Sequence, residues 1–200
     1  MEISSELVKT LRDKTGAGMM DCKKALAESD GNLDKAIDYL RKKGAATAEK
    51  RADRATNQGL VEAYIHAGGR IGAMVELNCE TDFVAKTDDF KGLARDVAMQ
   101  IAAMNPQYIG REQVTQETVN RELDIYRTQA KNEKKPDAIL EKIAQGKLEK
   151  YYQENCLIEQ TFIKDSGKTI KDLILDMTAK TGEKITVRRF QRFHLGEGSI

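Results

Sequence analysis

The chain contains no tryptophan, and aromatic residues make up only 6% of its 200 positions. Its core must therefore be built from aliphatic side chains, and with 40% hydrophobic residues that core is real but modest. Charge of one sign is not in excess: 33 basic and 32 acidic residues leave a formal net charge of +1. A general nucleic-acid binder carries a clear basic surplus, so no direct nucleic-acid partner is expected. No apolar run reaches the ~18 residues of a membrane-spanning helix, so no membrane partner is expected. The opening Met1-Glu2-Ile3-Ser4-Ser5 lacks the basic-then-apolar order of a secretory signal. The three cysteines, Cys22, Cys79 and Cys156, are far apart and form no CxxC pair. They are expected to be buried, small apolar residues in a reduced, cytoplasmic setting, without a metal or redox role. Internal repeats and low-complexity tracts are also lacking.

What is present is a change of period along the chain. Residues 1–44 read as three short helices. Ser4 or Ser5 is the candidate cap of the first, with Leu7, Val8 and Leu11 as its apolar stripe. Thr15-Gly16-Ala17-Gly18 breaks it, and a second helix carries Cys22, Ala25 and Leu26 on one face. Asn32 caps a third, with Leu33, Ala36, Ile37 and Leu40 at helical spacing and Gly44 as its expected stop. Residues 45–57 are Ala-rich and charged, and read as a linker.

From Gly59 the period becomes two. Val61, Ala63 and Ile65 alternate with Glu62, Tyr64 and His66, and Gly68-Gly69 reads as a two-residue turn suited to positive φ. Ile71, Ala73, Val75, Leu77 and Cys79 then share one face, the strongest strand signal in the chain. Thr87-Asp88-Asp89 starts a helix bearing Phe90, Leu93, Ala94, Val97 and Ile101, which Asn105-Pro106 ends. Two more helices follow, one around 116–130 and one carrying Ile139 to Tyr152. Residues 154–164 read as extended, Thr169 as the cap of another helix that Gly182 ends, and 184–194 as a last strand. The fold class is α+β, a small antiparallel sheet packed with helices in a core of residues 58–200.

Enzyme signatures fail on inspection. Gly167-Lys168-Thr169 resembles the end of a phosphate loop, but Phe162 stands where the first glycine is needed. Gly16-Ala17-Gly18 lacks a preceding strand and a third glycine. His66 and His194 sit in no zinc pattern, and nothing in the sequence supports a Cys–His nucleophile. No cofactor is expected. Two peptides remain. Thr81-Asp82-Phe83-Val84-Ala85-Lys86 sets an aromatic behind a carboxylate at a strand-to-helix corner, and Thr15-Gly16-Ala17-Gly18-Met19-Met20-Asp21-Cys22 lies in the helical module. On residue types alone, Asp82 is equally a helix cap, Phe83 a core residue and the Met19–Met20 pair part of the core. Together they point to a protein that acts on another protein.

These peptides carry a resemblance. With Leu7 to Arg12, Asp34 to Gly44, Glu76 to Glu80, Glu141 to Ala144, Gln160 to Phe162, Lys168 to Ile170 and Arg192 to Gly198, they resemble the bacterial elongation factor Ts family in its short form. The motifs are long, ordered and spread over nearly the whole chain. The resemblance implies an N-terminal ubiquitin-associated-like module at residues 1–44, a linker at 45–57 and a dimerisation and exchange core at 58–200. It implies guanine nucleotide exchange on elongation factor Tu, without bond chemistry, and pairing into homodimers that supply a second half of the core. Thr81, Asp82, Phe83 and Val84 are implied as the wedge that leads to displacement of the partner's magnesium. Leu11, Arg12, Gly18, Met19 and Met20 are implied as partner contacts, with Thr181 and Gly182 as a further contact; many members have an apolar residue where Thr181 stands. The rival reading is a protein-binding scaffold without exchange activity, in which Thr81 to Lys86 has no role.

Overall fold

The computed structural model describes residues 3–198; residues 1–2 and 199–200, the ends of the expected modules, lie outside the described residues. Helix α1 (Ser5–Thr15) begins where Ser4 accepts the Leu7 N–H at 3.2 Å, so Ser4 rather than Ser5 is the cap. It ends at Gly16, whose φ of 67° lets its N–H reach the Arg12 carbonyl at 2.7 Å. Helices α2 (Met19–Glu28) and α3 (Leu33–Lys50) follow, and Asn32 caps α3 by accepting the Lys35 N–H at 3.0 Å. The three apolar stripes close on one another: Val8, Leu11, Ala17, Cys22, Ala25, Leu26, Ala36 and Leu40 form one buried cluster.

Gly44 does not stop the third helix. Helix α3 runs on to Lys50, so the first part of the expected linker is helical. The glycine is buried instead against helix α8 (Ile170–Thr181): a Cβ built on Gly44 would stand 3.5 Å from the Ala179 Cβ. Its value is close helix approach, which a local sequence reading mistakes for a break. Arg41 of α3 also pairs with Asp172 of α8 at 2.7 Å.

Five strands occur among the described residues: β1 (Gln58–Ile65), β2 (Ile71–Cys79), β3 (Thr161–Phe162), β4 (Asp165–Thr169) and β5 (Thr186–His194). The sheet order is β1-β2-β5, and β3 pairs antiparallel with β4 in a second sheet that the extended reading of 154–164 did not anticipate. Ala73, Val75, Leu77 and Cys79 of β2 are buried as expected. Between β1 and β2 the loop runs from His66 to Arg70, wider than a two-residue turn, with the His66 N–H donating to the Ile71 carbonyl at 2.8 Å. Gly68 and Gly69 do adopt positive φ there, 89° and 67°. On β1 the apolar row is the exposed one: Val61 and Ile65 are 58% and 65% exposed. Glu62, on the other side of the strand, pairs with Arg95 at 4.0 Å.

The remaining helices are α4 (Asp82–Ala85), α5 (Asp88–Met104), α6 (Gln116–Asn132) and α7 (Asp137–Asn155). The α+β class stands. By their contacts the described residues form two units. One takes the chain up to Ala63 with Met74–Asp96 and Asp172–Phe190; the other takes Tyr64–Ala73, Val97–Lys171 and the chain from Gln191. In the second, Leu123, Ala144 and Leu148 bury the facing sides of α6 and α7. No helix among the described residues is long and apolar enough to cross a membrane.

Candidate functional site

Strand β2 ends at Cys79, whose thiol donates to the Thr81 carbonyl at 3.1 Å. Thr81 keeps the extended backbone of a cap, φ −125° and ψ 155°, and its hydroxyl accepts the Val84 N–H at 3.5 Å. The single turn α4 then carries Asp82 and Phe83. Asp82 is the first helical residue rather than the cap, and its carboxylate takes the Lys86 ammonium at 2.5 Å. That hydrogen bond holds the Asp82 carboxyl below the usual carboxylate range. Phe83 is 79% exposed, so it does not pack on the sheet. Val84 is half-buried and Ala85 is buried beneath the turn. Thr87 closes the corner: its hydroxyl donates to the Val84 carbonyl at 2.8 Å and accepts the Phe90 N–H at 3.3 Å.

The corner is tied to a distant segment through two carboxylates. Glu183 Oε2 accepts the Glu80 and Thr81 N–H groups at 3.1 and 3.0 Å, and Oε1 accepts the Thr81 hydroxyl at 2.5 Å. In return, Glu80 Oε1 accepts the Lys184 N–H at 2.7 Å, while Oε2 takes Arg54 at 3.0 Å. The Lys184 N–H, followed by Arg54, holds the Glu80 carboxyl below its ordinary range. Sequence reasoning missed both carboxylates as site residues. Glu80 was visible beside the motif, but Glu183 meets it only in space and carries no local signature.

Thr181 and Gly182 lie in this same constellation. The Thr181 hydroxyl donates to the Met177 carbonyl at 2.8 Å and accepts the Glu183 N–H at 3.2 Å. Gly182, at φ 72°, ends α8 by donating its N–H to the Thr178 carbonyl at 2.9 Å. Lys184 donates its ammonium to the Ala52 and Arg54 carbonyls. The expected wedge and the expected helix-to-strand contact are therefore parts of one hydrogen-bonded assembly.

The other expected contacts sit in the helical module. Met19 and Met20 are 63% and 77% exposed, so neither belongs to the core. Gly18, exposed, precedes them as the helix cap without a side-chain bond, and Arg12 is also exposed. Leu11 departs from expectation: it is fully buried in the module core and presents no surface. The stripe it shares with Val8 takes it inward. Gly16 faces α8, where the Lys180 chain would meet an added Cβ at 3.4 Å, and the Lys180 ammonium reaches Asp89 at 2.6 Å.

Among the described residues, no group of three His, Cys, Asp or Glu side chains is arranged to hold a metal. His66 Nδ1 shares a hydrogen bond with the Tyr64 hydroxyl at 3.1 Å, and His194 Nδ1 bonds Glu197 at 3.0 Å. All three cysteines are buried. Burial pushes the Cys79 and Cys156 thiols up to about 11, which leaves almost no thiolate at neutral pH. Among the described residues, each histidine Nδ1 is bonded to a tyrosine or a glutamate rather than to a thiol. What the arrangement offers is an exposed aromatic side chain, beside a carboxylate, on a braced corner.

A model of the family described as "Elongation factor TS" matches residues 2–197. Elongation factor Ts of Moorella thermoacetica is 59% identical over 198 residues, covering 99% of this chain and 98% of the relative. Elongation factor Ts of Desulforamulus reducens is 58% identical, covering 98% and 91%. That of Caldanaerobacter subterraneus subsp. tengcongensis is 58% identical, covering 98% of each.

Proposed function

The chain belongs to the elongation factor Ts family and serves translation elongation, and from that premise we propose that it is the guanine nucleotide exchange factor for elongation factor Tu, working in the cytoplasm. The observation that carries the reading is Phe83, a large apolar side chain left 79% exposed on a corner braced by Glu183 and Glu80. Burying such a side chain in a partner gains roughly 1.5–3 kcal/mol. That gain offsets displacement of the partner groups that shape its magnesium site. Asp82 accepts hydrogen bonds there or competes for polar contacts near the cation. Once magnesium leaves, the nucleotide phosphates lose their main neutralising charge, and GDP dissociates.

No bond need be made or broken. The factor binds nucleotide-free elongation factor Tu better than the GDP-bound form, and linkage requires GDP affinity to fall by the same factor. Fresh nucleotide then expels the factor. Arg12, Gly18, Met19 and Met20 dock the helical module on the partner, and Thr181–Gly182 adds a second support. The copy number is part of the proposal: Val61 and Ile65 stand exposed on β1, the kind of surface a second copy would cover, and a mass measurement in solution tests it.

The test is release of labelled GDP from purified elongation factor Tu, with and without this chain. The expected outcome is strong acceleration, with a loss of at least roughly tenfold in the Asp82→Ala/Phe83→Ala variant while its melting curve is unchanged. Full stimulation by that folded variant sinks the wedge. Binding without any acceleration by the parent chain favours a scaffold.

A further inference from the structure

We propose that Glu183 is a positioning residue for exchange: by taking the Glu80 and Thr81 N–H groups together with the Thr81 hydroxyl, its carboxylate fixes the direction in which Phe83 is presented. The inference rests on the exchange reading above. Helix α4 is a single turn, Asp82–Ala85, too short to hold its own shape. Its geometry is set by what grips its ends. At the far end Thr87 bonds the Val84 carbonyl and caps α5. At the near end the grip is on Glu80 and Thr81.

A hydroxyl has one proton to give. Because Thr81 gives it to Glu183 at 2.5 Å, its lone pairs are free for the Val84 N–H, and the cap of α4 is locked in one sense. The return bond, Lys184 N–H to Glu80 Oε1 at 2.7 Å, matters equally. One bond between two segments leaves a hinge; bonds in both directions remove rotation about it. Phe83 is mostly solvent-exposed, so the backbone is what sets the direction in which its side chain leaves the corner. A wedge that is already ordered avoids an ordering cost of about 1–2 kcal/mol per residue on binding.

The test uses full-length variants and stimulated GDP release measured across factor concentrations. Glu183→Gln keeps the chain length but cannot accept all three donors, because its amide nitrogen only donates. The expected result is a saturating release rate lowered roughly tenfold, with the half-saturating concentration little changed. Thr81→Val, which removes the hydroxyl but leaves the Glu80 and Thr81 N–H groups on Glu183, should lower the saturating rate in the same sense, and the double variant should lose less than the sum of the two, because they share the Thr81 hydroxyl bond. A saturating rate equal to the parent's, or a loss that merely tracks the folded fraction in thermal melts, or losses that simply add, each overturns the positioning role. Should Glu183→Gln fail to fold, Glu183→Asp, whose shorter side chain withdraws the carboxylate from the Glu80 and Thr81 donors, is read by the same two kinetic parameters. Asp82→Ala/Phe83→Ala runs alongside. If it exchanges fully, the exchange reading itself fails; if it is inactive while Glu183→Gln is fully active, only the positioning role falls.

Discussion

The Thr81–Val84 corner and the first turn of α2 both expose large apolar side chains, yet they are mounted by opposite means. The corner is held by polar bonds from a segment about a hundred residues away: Glu183 on Glu80 and Thr81, and Glu80 on Lys184. The first turn of α2 has no side-chain cap, since Gly18 has no side chain to supply one. It rests mainly on the apolar cluster beneath it, with Cys22, Ala25 and Leu26 fully buried and an exposed ion pair, Lys43 to Asp21 at 2.6 Å, alongside. Ala17 contributes its carbonyl to the Cys22 thiol at 3.6 Å and its N–H to the Thr15 hydroxyl at 3.3 Å. Charge-assisted bonds have preferred directions; apolar packing does not. A corner built the first way presents one side chain at one angle. A turn built the second way, ending in two flexible thioethers, adapts to what it meets.

The sharpest way to break this comparison is kinetic. Phe83→Ala should lower the saturating rate of GDP release, because it removes the group proposed to act on the partner's metal site. Met19→Ala/Met20→Ala should instead raise the half-saturating concentration and leave the saturating rate nearly intact. With roughly 1.5–3 kcal/mol lost per buried side chain, each effect is roughly tenfold or more. Identical kinetic signatures for the two variants would erase the distinction between wedge and dock.

A smaller effect concerns how the module is joined to α8. Gly44→Leu places a branched side chain where the Ala179 Cβ is 3.5 Å from the first added carbon, and overpacking of this kind costs about 1–3 kcal/mol. Gly44→Ala adds only that first carbon, at ordinary contact distance, and gains up to about 1 kcal/mol of helix propensity. Denaturant melts should therefore move in opposite directions for the two variants. Destabilisation by both would mean that the helices leave no room at Gly44 even for a methyl group.

Much of this was legible because it is local. Ser4, Asn32 and the glycines after α1 and α8 mark helix ends through bonds made within a few residues. The β2 alternation survives because one of its faces is buried from Ala73 to Cys79, with Ile71 half-buried at its start. What was not legible is what depends on distant chain. Gly44 reads as a breaker until Ala179 is brought against it. Leu11 is the opposite case: the stripe it shares with Val8 marks it as core, although the family peptide implies a contact, and it is fully buried. Residues 154–164 lack a period because polar side chains organise them: Gln100 bonds Gln160 and the Thr161 carbonyl, and Gln160 bonds the Glu154 carbonyl. The site was half visible in the same sense. Asp82 and Phe83 are singled out by their peptide, with a role implied only by the family resemblance, whereas the Glu183 carboxylate bonded to Glu80 and Thr81 lies about a hundred residues away.

The weakest expected effect separates the two regions by pH. The Glu80 carboxyl is held below its ordinary range, chiefly by the Lys184 N–H and then by Arg54. A carboxyl depressed on folding stabilises the native state above its unfolded value, and that stabilisation is lost as pH falls through the folded value. The brace should thus be intact at neutral pH and weaken on the acid side of the carboxylate range, by about 1 kcal/mol for the bonds Glu80 makes. The three-helix module, packed by apolar contacts, has no such dependence in its core. Hydrogen exchange at the Thr81, Val84 and Lys184 amides, measured against the Leu26 amide under the same conditions, should show the corner loosening first on acidification. Glu80→Gln should flatten that difference. Equal loosening of both regions in the parent chain would mean that the corner does not depend on its charges, and the contrast between a directed mount and an adaptable one would lose its physical basis.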